Sequence, residues 1–152
     1  MTAGAGRSRR TSVYVDSFGH VNPIPAACRI GDLIYSGVIT GRDPETGRPP
    51  ETLDEQCAQM FRHMCDIVAA AGATTGDIIK VTVWLRDPAD RTALNRAWTA
   101  LFPDPADRPA RHTMGGDLGD GLLAQCDFVA VAPTSTPDRT EAARTTEGDD
   151  LT

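Results

Sequence analysis

The stretch TTGDIIKVTVWLRDPADRTALNRAWTALFPD, residues 74–104, decides the fold because the spacing of its apolar residues changes halfway along it. Residues 77–86 alternate in polarity, which is typical of a β-strand with one buried face. The predicted inward set is Ile79, Val81, Val83 and Leu85, and the predicted outward set is Lys80, Thr82, Trp84 and Arg86. From Asp90 onward the apolar residues return at helical spacing, until Pro103 and Pro105 end the pattern. The stretch therefore predicts a strand followed by a helix.

A second helix is predicted upstream, over residues 53–71. Thr52 and Glu55 form the pattern of a capping box at its start, and Gly72 supplies a stop at its end. Before this helix the sequence predicts two strands, joined by a turn at Gly31–Asp32, and then a proline-rich loop. These segments are 26–30, 33–39 and 42–51.

Two further strands are predicted at 110–114 and 124–132, and a leading strand at 12–16. This order of elements predicts an α+β fold, in which two helices pack on one face of a mixed sheet. No third predicted helix remains to cover the other face. A half-apolar sheet face without a cover normally finds a partner, so we expect an oligomer in which these faces turn inward. The residues predicted on this face are Trp84, Thr82, Ser36 and Val38.

Composition bounds the domain and its partners. A folded domain is predicted over 12–132, between a flexible N-terminal tail at 1–11 and a disordered acidic tail at 133–152. The net charge of -6 argues against a nucleic-acid partner. No apolar run is long enough to span a bilayer and no signal segment is recognisable, so we expect a cytoplasmic protein without a membrane partner. The spacing of the histidines suits no metal site.

Several segments together resemble the Rid (YjgF) family of reactive-intermediate deaminases. They are LIYSG (33–37), DPETG (43–47), AAGATTGDIIKVTVWLRD (70–87), LNRAW (94–98) and RPARHTM (108–114), and the resemblance covers residues 20–132. It implies a chorismate-mutase-like α+β fold and a homotrimer with its sites at the subunit interfaces. It also implies hydrolysis of small enamines and imines to a carbonyl compound and ammonia, without a cofactor.

Arg111 is the site residue that this resemblance indicates most strongly, as the group that binds the substrate carboxylate. Its planar guanidinium can hold a carboxylate through two hydrogen bonds. Ser36 is retained as a substrate-binding position, and Trp84 is a further candidate. At four positions the chain departs from the family: Ile24 replaces a tyrosine, Val38 a glutamine, Thr113 a cysteine, and Gln125 the glutamate expected to position or activate water. Thr113 and Gln125 are candidates to place the water, and Ile24 and Val38 to contact substrate.

The missing glutamate leaves the general base open. A neutral amide at Gln125 can orient a water molecule but cannot take its proton. Asp127 lies on the same predicted face as Gln125 and is the better candidate for the general base. An ion pair with an arginine at the implied trimer interface would explain an aspartate at this position equally well. His112 alternates away from Arg111 in a regular strand, which favours packing over catalysis. The role of the loop 115–123 is not predicted.

Three functions are compatible with these residues. The first is a RidA-like hydrolase of small imines and enamines. The second is a tailoring enzyme of specialised metabolism that acts on a larger imine, enamine or polyketide-like intermediate, because Ile24, Val38 and Gln125 make the pocket less polar. The third is a non-catalytic trimer that binds a small anionic molecule without turning it over.

Overall fold

The computed structural model of the chain describes residue 6 and residues 8–134. Most of the predicted C-terminal tail, from 135 to 152, therefore lies outside the described residues, as do 1–5 and 7 of the predicted N-terminal tail. The first strand begins at Arg10, two residues before the predicted start of the domain at 12. It ends at Val13, so the leading strand lies slightly earlier than the predicted 12–16.

The elements follow one another in nearly the predicted order. They are β1 (Arg10–Val13), β2 (Ala27–Ile30), β3 (Leu33–Ser36), β4 (Ile39–Thr40), α1 (Leu53–Ala70), β5 (Ile78–Leu85), α2 (Thr92–Leu101), β6 (Ala110–Gly115) and β7 (Ala124–Val131). A short 3-10 turn over Thr75–Asp77 joins α1 to β5. The strands form one sheet in the order β1-β2-β3-β7-β5-β6, and β4 also pairs with β7. Because β5 and β6 run parallel and the other pairs antiparallel, the predicted mixed sheet is confirmed.

One face of the sheet is buried beneath α1 and α2. On β5, Val81, Val83 and Leu85 are fully buried, whereas the intervening Thr82 and Trp84 are only half-buried. The core is closed by the apolar stripe of α1 and by inward residues of β3 and β7, because removal of these side chains from water drives their packing. These residues include Cys57, Met60, Met64, Ile67, Ile34, Cys126 and Phe128. The opposite side, which carries Thr82, Trp84, Gln125 and Asp127, is called the open face below.

The predicted ends of α1 are confirmed, and the helix lies unusually close to β4. Thr52 Oγ1 accepts a hydrogen bond from the Glu55 amide at 3.2 Å, and Gly72 follows the helix with φ of +86°. At Gly41, just after β4, a methyl group would overlap the Gln56 carbonyl oxygen. Glycine at this position therefore permits the close contact between the strand end and the helix.

Gln56 connects α1 to two loops through a fully buried side chain. Its Nε2 donates to the carbonyls of Pro50 and Gly121 at 2.7 and 2.8 Å, and its Oε1 accepts from the Leu123 amide at 2.8 Å. The loop 115–123 is also held by the Arg86 guanidinium, which donates to the carbonyls of Leu118, Gly119 and Leu122. This loop is therefore shaped by specific polar contacts within the chain.

Two predictions about strand faces are wrong. Ile79 was predicted to be buried but is 57% exposed, because a register shift between Ile78 and Lys80 turns Ile78 inward instead. The predicted strand 33–39 is interrupted after Ser36. Ser36 was predicted on the open face but lies on the helix-covered side. It follows the fully buried Ile34 by two residues, and residues two apart on a strand share a face.

Candidate anion-binding site

Arg111 lies on β6, the edge strand of the sheet, and its side chain turns toward α2. It stands opposite Val81 on the helix-covered side. Its guanidinium carbon lies 5.0 Å from the centre of the Trp98 ring, within the range of a cation–π contact. Its Nη2 donates a hydrogen bond to Asn95 Oδ1 at 2.8 Å. The guanidinium is thus held at two points on one helix.

The aromatic ring below Arg111 is itself fixed. Trp98 is 93% buried, and its ring centre lies 4.8 Å from that of Phe102 and 6.1 Å from that of Phe61. Asn95 precedes Trp98 by three residues, so both side chains lie on the same side of α2. The core therefore supplies a rigid support for a cation at the sheet edge.

Within residues 8–134, the positive charge of Arg111 has no counter-ion. The ion pairs among the described residues join Arg29 to Asp32 and Arg96 to Asp54, and neither includes Arg111. Arg111 Nη1 is buried, and it has no hydrogen-bond partner among the described residues. Burial, assisted by the charge of Arg91, lowers the pKa of the guanidinium, which nevertheless stays protonated near neutral pH. A buried donor of this kind requires an acceptor, and an anion would satisfy both its hydrogen bond and its charge.

Cys57 on α1 cannot serve as that anion. Its thiol is fully buried, and burial raises its pKa to about 12, so it is neutral near pH 7. Thr113, a predicted catalytic residue, lies two residues beyond Arg111 on the same side of β6 and is half-buried. Of the predicted catalytic residues, therefore, only Thr113 shares the side of the sheet on which Arg111 lies.

Gln125, Asp127 and Trp84 lie on the open face, away from Arg111. Gln125 stands opposite Trp84, and Asp127 stands opposite Thr82. His112 also stands opposite Thr82 and therefore faces away from Arg111, as strand alternation predicts. Burial raises the pKa of Asp127, and the charge of Lys80 partly opposes that rise. Within this chain, the sheet separates the candidate base from the candidate anion site.

The remaining predicted binding residues lie toward the other end of the sheet. The Ser36 hydroxyl donates to the Gly37 carbonyl and accepts from the Phe128 amide, each at 2.8 Å, so it fixes the end of β3 against β7. Val38 is half-buried between β3 and β4, and Ile24 is 43% exposed in the loop before β2. The fold of this chain does not bring these three residues together with Arg111.

The roles of Asn95 and Trp98 were not predicted from the sequence. There, both belong to the LNRAW motif, and Trp98 is one of the apolar residues of the predicted second helix. One signal was available: asparagine is a poor helix former, and within an amphipathic helix it often has a side-chain role. The partner of Asn95 could not be identified from sequence, because Arg111 lies sixteen residues further along the chain.

Among the described residues, no three His, Cys, Asp or Glu side chains are grouped to hold a metal ion. In the same residues no helix is long and apolar enough to span a bilayer.

The chain is thus a small α+β domain with a candidate anion site around Arg111, at one edge of its sheet. Comparison with known proteins gives the family. The family model described as Endoribonuclease L-PSP matches residues 16–119. A RutC family protein of Aquifex aeolicus is 32% identical over 112 residues, which are 73% of this chain and 90% of that protein. The 2-iminobutanoate/2-iminopropanoate deaminase of Salmonella typhimurium is 32% identical over 92 residues, covering 60% of this chain and 72% of the relative.

A plant relative and solved structures agree with this assignment. Chloroplastic Reactive Intermediate Deaminase A of Arabidopsis thaliana is 32% identical over 94 residues, and the chain spans 49% of its length. RidA from an Antarctic Psychrobacter bacterium superposes with a TM-score of 0.74 at 27% identity, covering 80% of this chain and 98% of that one. TdcF of Escherichia coli with bound serine gives a TM-score of 0.75 at 23% identity, over 81% and 99% of the two chains. The chain belongs to the Endoribonuclease L-PSP family, which is the Rid/YjgF family that its sequence resembles.

Proposed function

We propose that this chain is a RidA-like hydrolase that converts small 2-imino acids and their enamine tautomers to 2-oxo acids and ammonia. The observation that carries this proposal is the buried Arg111 Nη1, which has no partner among the described residues. The family relatives named as deaminases of 2-iminobutanoate and of reactive intermediates support the choice of substrate. A 2-imino acid carries a carboxylate beside its C=N carbon, so a cation that holds the carboxylate also fixes the position of the reacting carbon.

The reaction needs one water molecule and a path for its proton. Water adds to the imine carbon, the nitrogen gains a proton, and the resulting carbinolamine expels ammonia to leave the 2-oxo acid. Arg111 would hold the carboxylate, and Gln125 or the Thr113 hydroxyl would orient the water. Asp127 would accept the proton from the water and return one to the leaving nitrogen, because its raised pKa brings it closer to neutral pH.

These roles require a second copy of the chain. Arg111 and Asp127 lie on opposite sides of one sheet, so a single subunit cannot present both to one substrate. The open face also carries an apolar patch next to the polar residues, and such a patch is typical of an interface. Its exposed members are Ile30, Leu33, Tyr35 and Val131, which lie on adjacent strands. The family resemblance implies a homotrimer. We propose that its open faces turn inward and that Arg111 of one subunit meets Gln125 and Asp127 of the next.

The description of the family model suggests a ribonuclease, but the chemistry of this chain favours a small anion. The net charge of -6 is opposite to what binding of a phosphate backbone needs, since such binding relies on many cationic contacts. One uncompensated guanidinium at a sheet edge matches a single carboxylate better than a polyanion.

The proposal is tested by ammonia release from 2-iminobutanoate, generated in the assay from threonine by a pyridoxal-phosphate-dependent dehydratase. The wild-type chain should accelerate the release, and Arg111→Ala should reduce the rate to that without added protein. Arg48→Ala, the same change at an exposed arginine of the 42–51 loop, should leave the rate unchanged. A wild-type rate equal to the rate without protein would show that the chain is not a hydrolase of this substrate class.

A further inference from the structure

We propose that Asn95 and Trp98 are positioning residues that hold Arg111 through uncharged contacts only, so that its full positive charge remains for a ligand carboxylate at Nη1. This inference rests on the proposed function, because it assumes that Arg111 binds the substrate. It goes further by assigning the orientation of the guanidinium to two residues of α2 and by giving each a distinct task.

Trp98 sets the plane and height of the guanidinium. Its ring centre lies 5.0 Å below the guanidinium carbon, and Phe61 and Phe102 hold the ring on the core side. A cation above an aromatic face is attracted to the ring quadrupole without being neutralised. The contact therefore fixes Arg111 and leaves its net charge unchanged.

Asn95 sets the rotation of the guanidinium within that plane. Its Oδ1 accepts a hydrogen bond from Nη2 at 2.8 Å. With Nη2 held in this way, Nη1 is left buried and has no partner in the part of the chain that the structure describes. An amide oxygen can accept such a hydrogen bond, but unlike a carboxylate it brings no negative charge. An aspartate at the same position would form an ion pair with Arg111 and would compete with the ligand.

Three other arginines of the domain show the contrast. Arg96, the neighbour of Asn95 on α2, pairs with Asp54, and Arg29 pairs with Asp32. Arg86 is bound to three loop carbonyls and shapes the loop 115–123. In these cases the guanidinium has a carboxylate or several carbonyls as partners, whereas at Arg111 one buried nitrogen has no hydrogen-bond partner among the described residues. This difference favours a ligand-binding role over a structural one.

The deciding experiment compares Asn95→Asp with Asn95→Ala by calorimetric titration of 2-oxobutanoate, the 2-oxo acid expected as product. Asn95→Ala loses the orientation but keeps the charge of Arg111, so we expect affinity to fall about 3- to 10-fold. Asn95→Asp keeps the hydrogen bond but neutralises the cation, so we expect a fall of about 30-fold or more. If Asn95 were merely structural, the order would reverse, because aspartate preserves the contact that alanine removes.

Controls separate binding from folding and from charge alone. Ala100→Asp adds the same charge at an exposed position of α2 and should leave affinity within about twofold. Thermal unfolding of Asn95→Asp should begin no earlier than that of the wild type, because the new carboxylate pairs with Arg111. In steady-state assays this variant should raise KM more than it lowers kcat, as expected for lost ground-state binding. Trp98→Leu should lower the affinity for 2-oxobutanoate, whereas Trp98→Phe, which keeps an aromatic ring, should retain most of it.

Each result has one meaning. If the wild type binds no 2-oxobutanoate, the proposed function and this inference both fall. If the wild type binds and Arg111→Ala does not, the carboxylate site stands. In that case, an Asn95→Asp variant that binds as well as or better than Asn95→Ala overturns the positioning role alone.

Discussion

At the scale of single residues, Asp127 is a carboxyl group whose environment opposes its ionisation. It is half-buried on the open face, where desolvation raises its pKa against the attraction of Lys80. A folded-state pKa above the unfolded value means that the folded chain binds the proton more tightly. The stabilisation that this tighter proton binding gives the folded chain is therefore fully present below the ordinary aspartate pKa of about 4. It is lost as the pH rises through the raised pKa of Asp127 in the folded state.

We therefore predict that Asp127→Asn unfolds at a higher temperature than the wild type at pH 7. This advantage should shrink as the pH falls and vanish below about pH 4, because wild-type Asp127 is then protonated in both states. Thermal unfolding followed by circular dichroism between pH 3 and 8 measures this difference. Asp16→Asn, the same change at an exposed position, is the control. A difference that does not vary with pH would mean that titration of Asp127 is not its cause.

At the scale of elements, the contact between β4 and α1 depends on the absence of one side chain. A methyl group on Gly41 would overlap backbone atoms of Gln56, and a helix backbone cannot move aside as a flexible side chain can. Gln56 in turn holds the loops at Pro50 and Gly121, so a shift of α1 would disturb both loops.

We predict that Gly41→Ala lowers the free energy of unfolding by about 2 kcal/mol or more, the range of overpacked core sites. Gly19→Ala, at a glycine with open space around its α-carbon, should change it by less than about 0.5 kcal/mol. Urea unfolding of both variants measures the difference. Equal stability of the two would show that β4 can move away from the helix at little cost.

The elements also show how far sequence reasoning reaches. The positions of α1, α2, β5 and β7 are predicted correctly, because each is a segment whose apolar side chains must leave water. The bulge at Ile79 was missed because Ile78 and Ile79 are both apolar, so alternation fits either register. The face of Ser36 was missed because Leu33, Ile34 and Tyr35 are all apolar or aromatic, so alternation along β3 fits either face. The support of Arg111 by Asn95 and Trp98 is likewise tertiary and leaves no local pattern.

At the scale of the whole molecule, the sheet divides the proposed catalytic groups between its two sides. Arg111 and Thr113 lie beneath the helices at the edge strand, while Gln125 and Asp127 lie on the open face. The partition has a consequence for any active assembly. If each site takes Arg111 from one subunit and its water-handling groups from another, then two inactive variants with defects in different halves can form an intact site together.

We predict such rescue between Arg111→Ala and the double variant Gln125→Ala/Asp127→Ala. In a trimer assembled at random from equal amounts of both, about one quarter of the sites would combine an intact Arg111 with an intact open face. Ammonia release from 2-iminobutanoate should then recover to about one quarter of the wild-type rate after co-expression, and each variant alone should stay near the rate without protein. Simple mixing of preformed assemblies, which cannot exchange subunits quickly, serves as the control. If co-expression gives no rescue although mixed trimers form, the site does not combine Arg111 of one subunit with the open face of another. Because the sheet separates these groups within one chain, the role of Gln125 and Asp127 must then be abandoned.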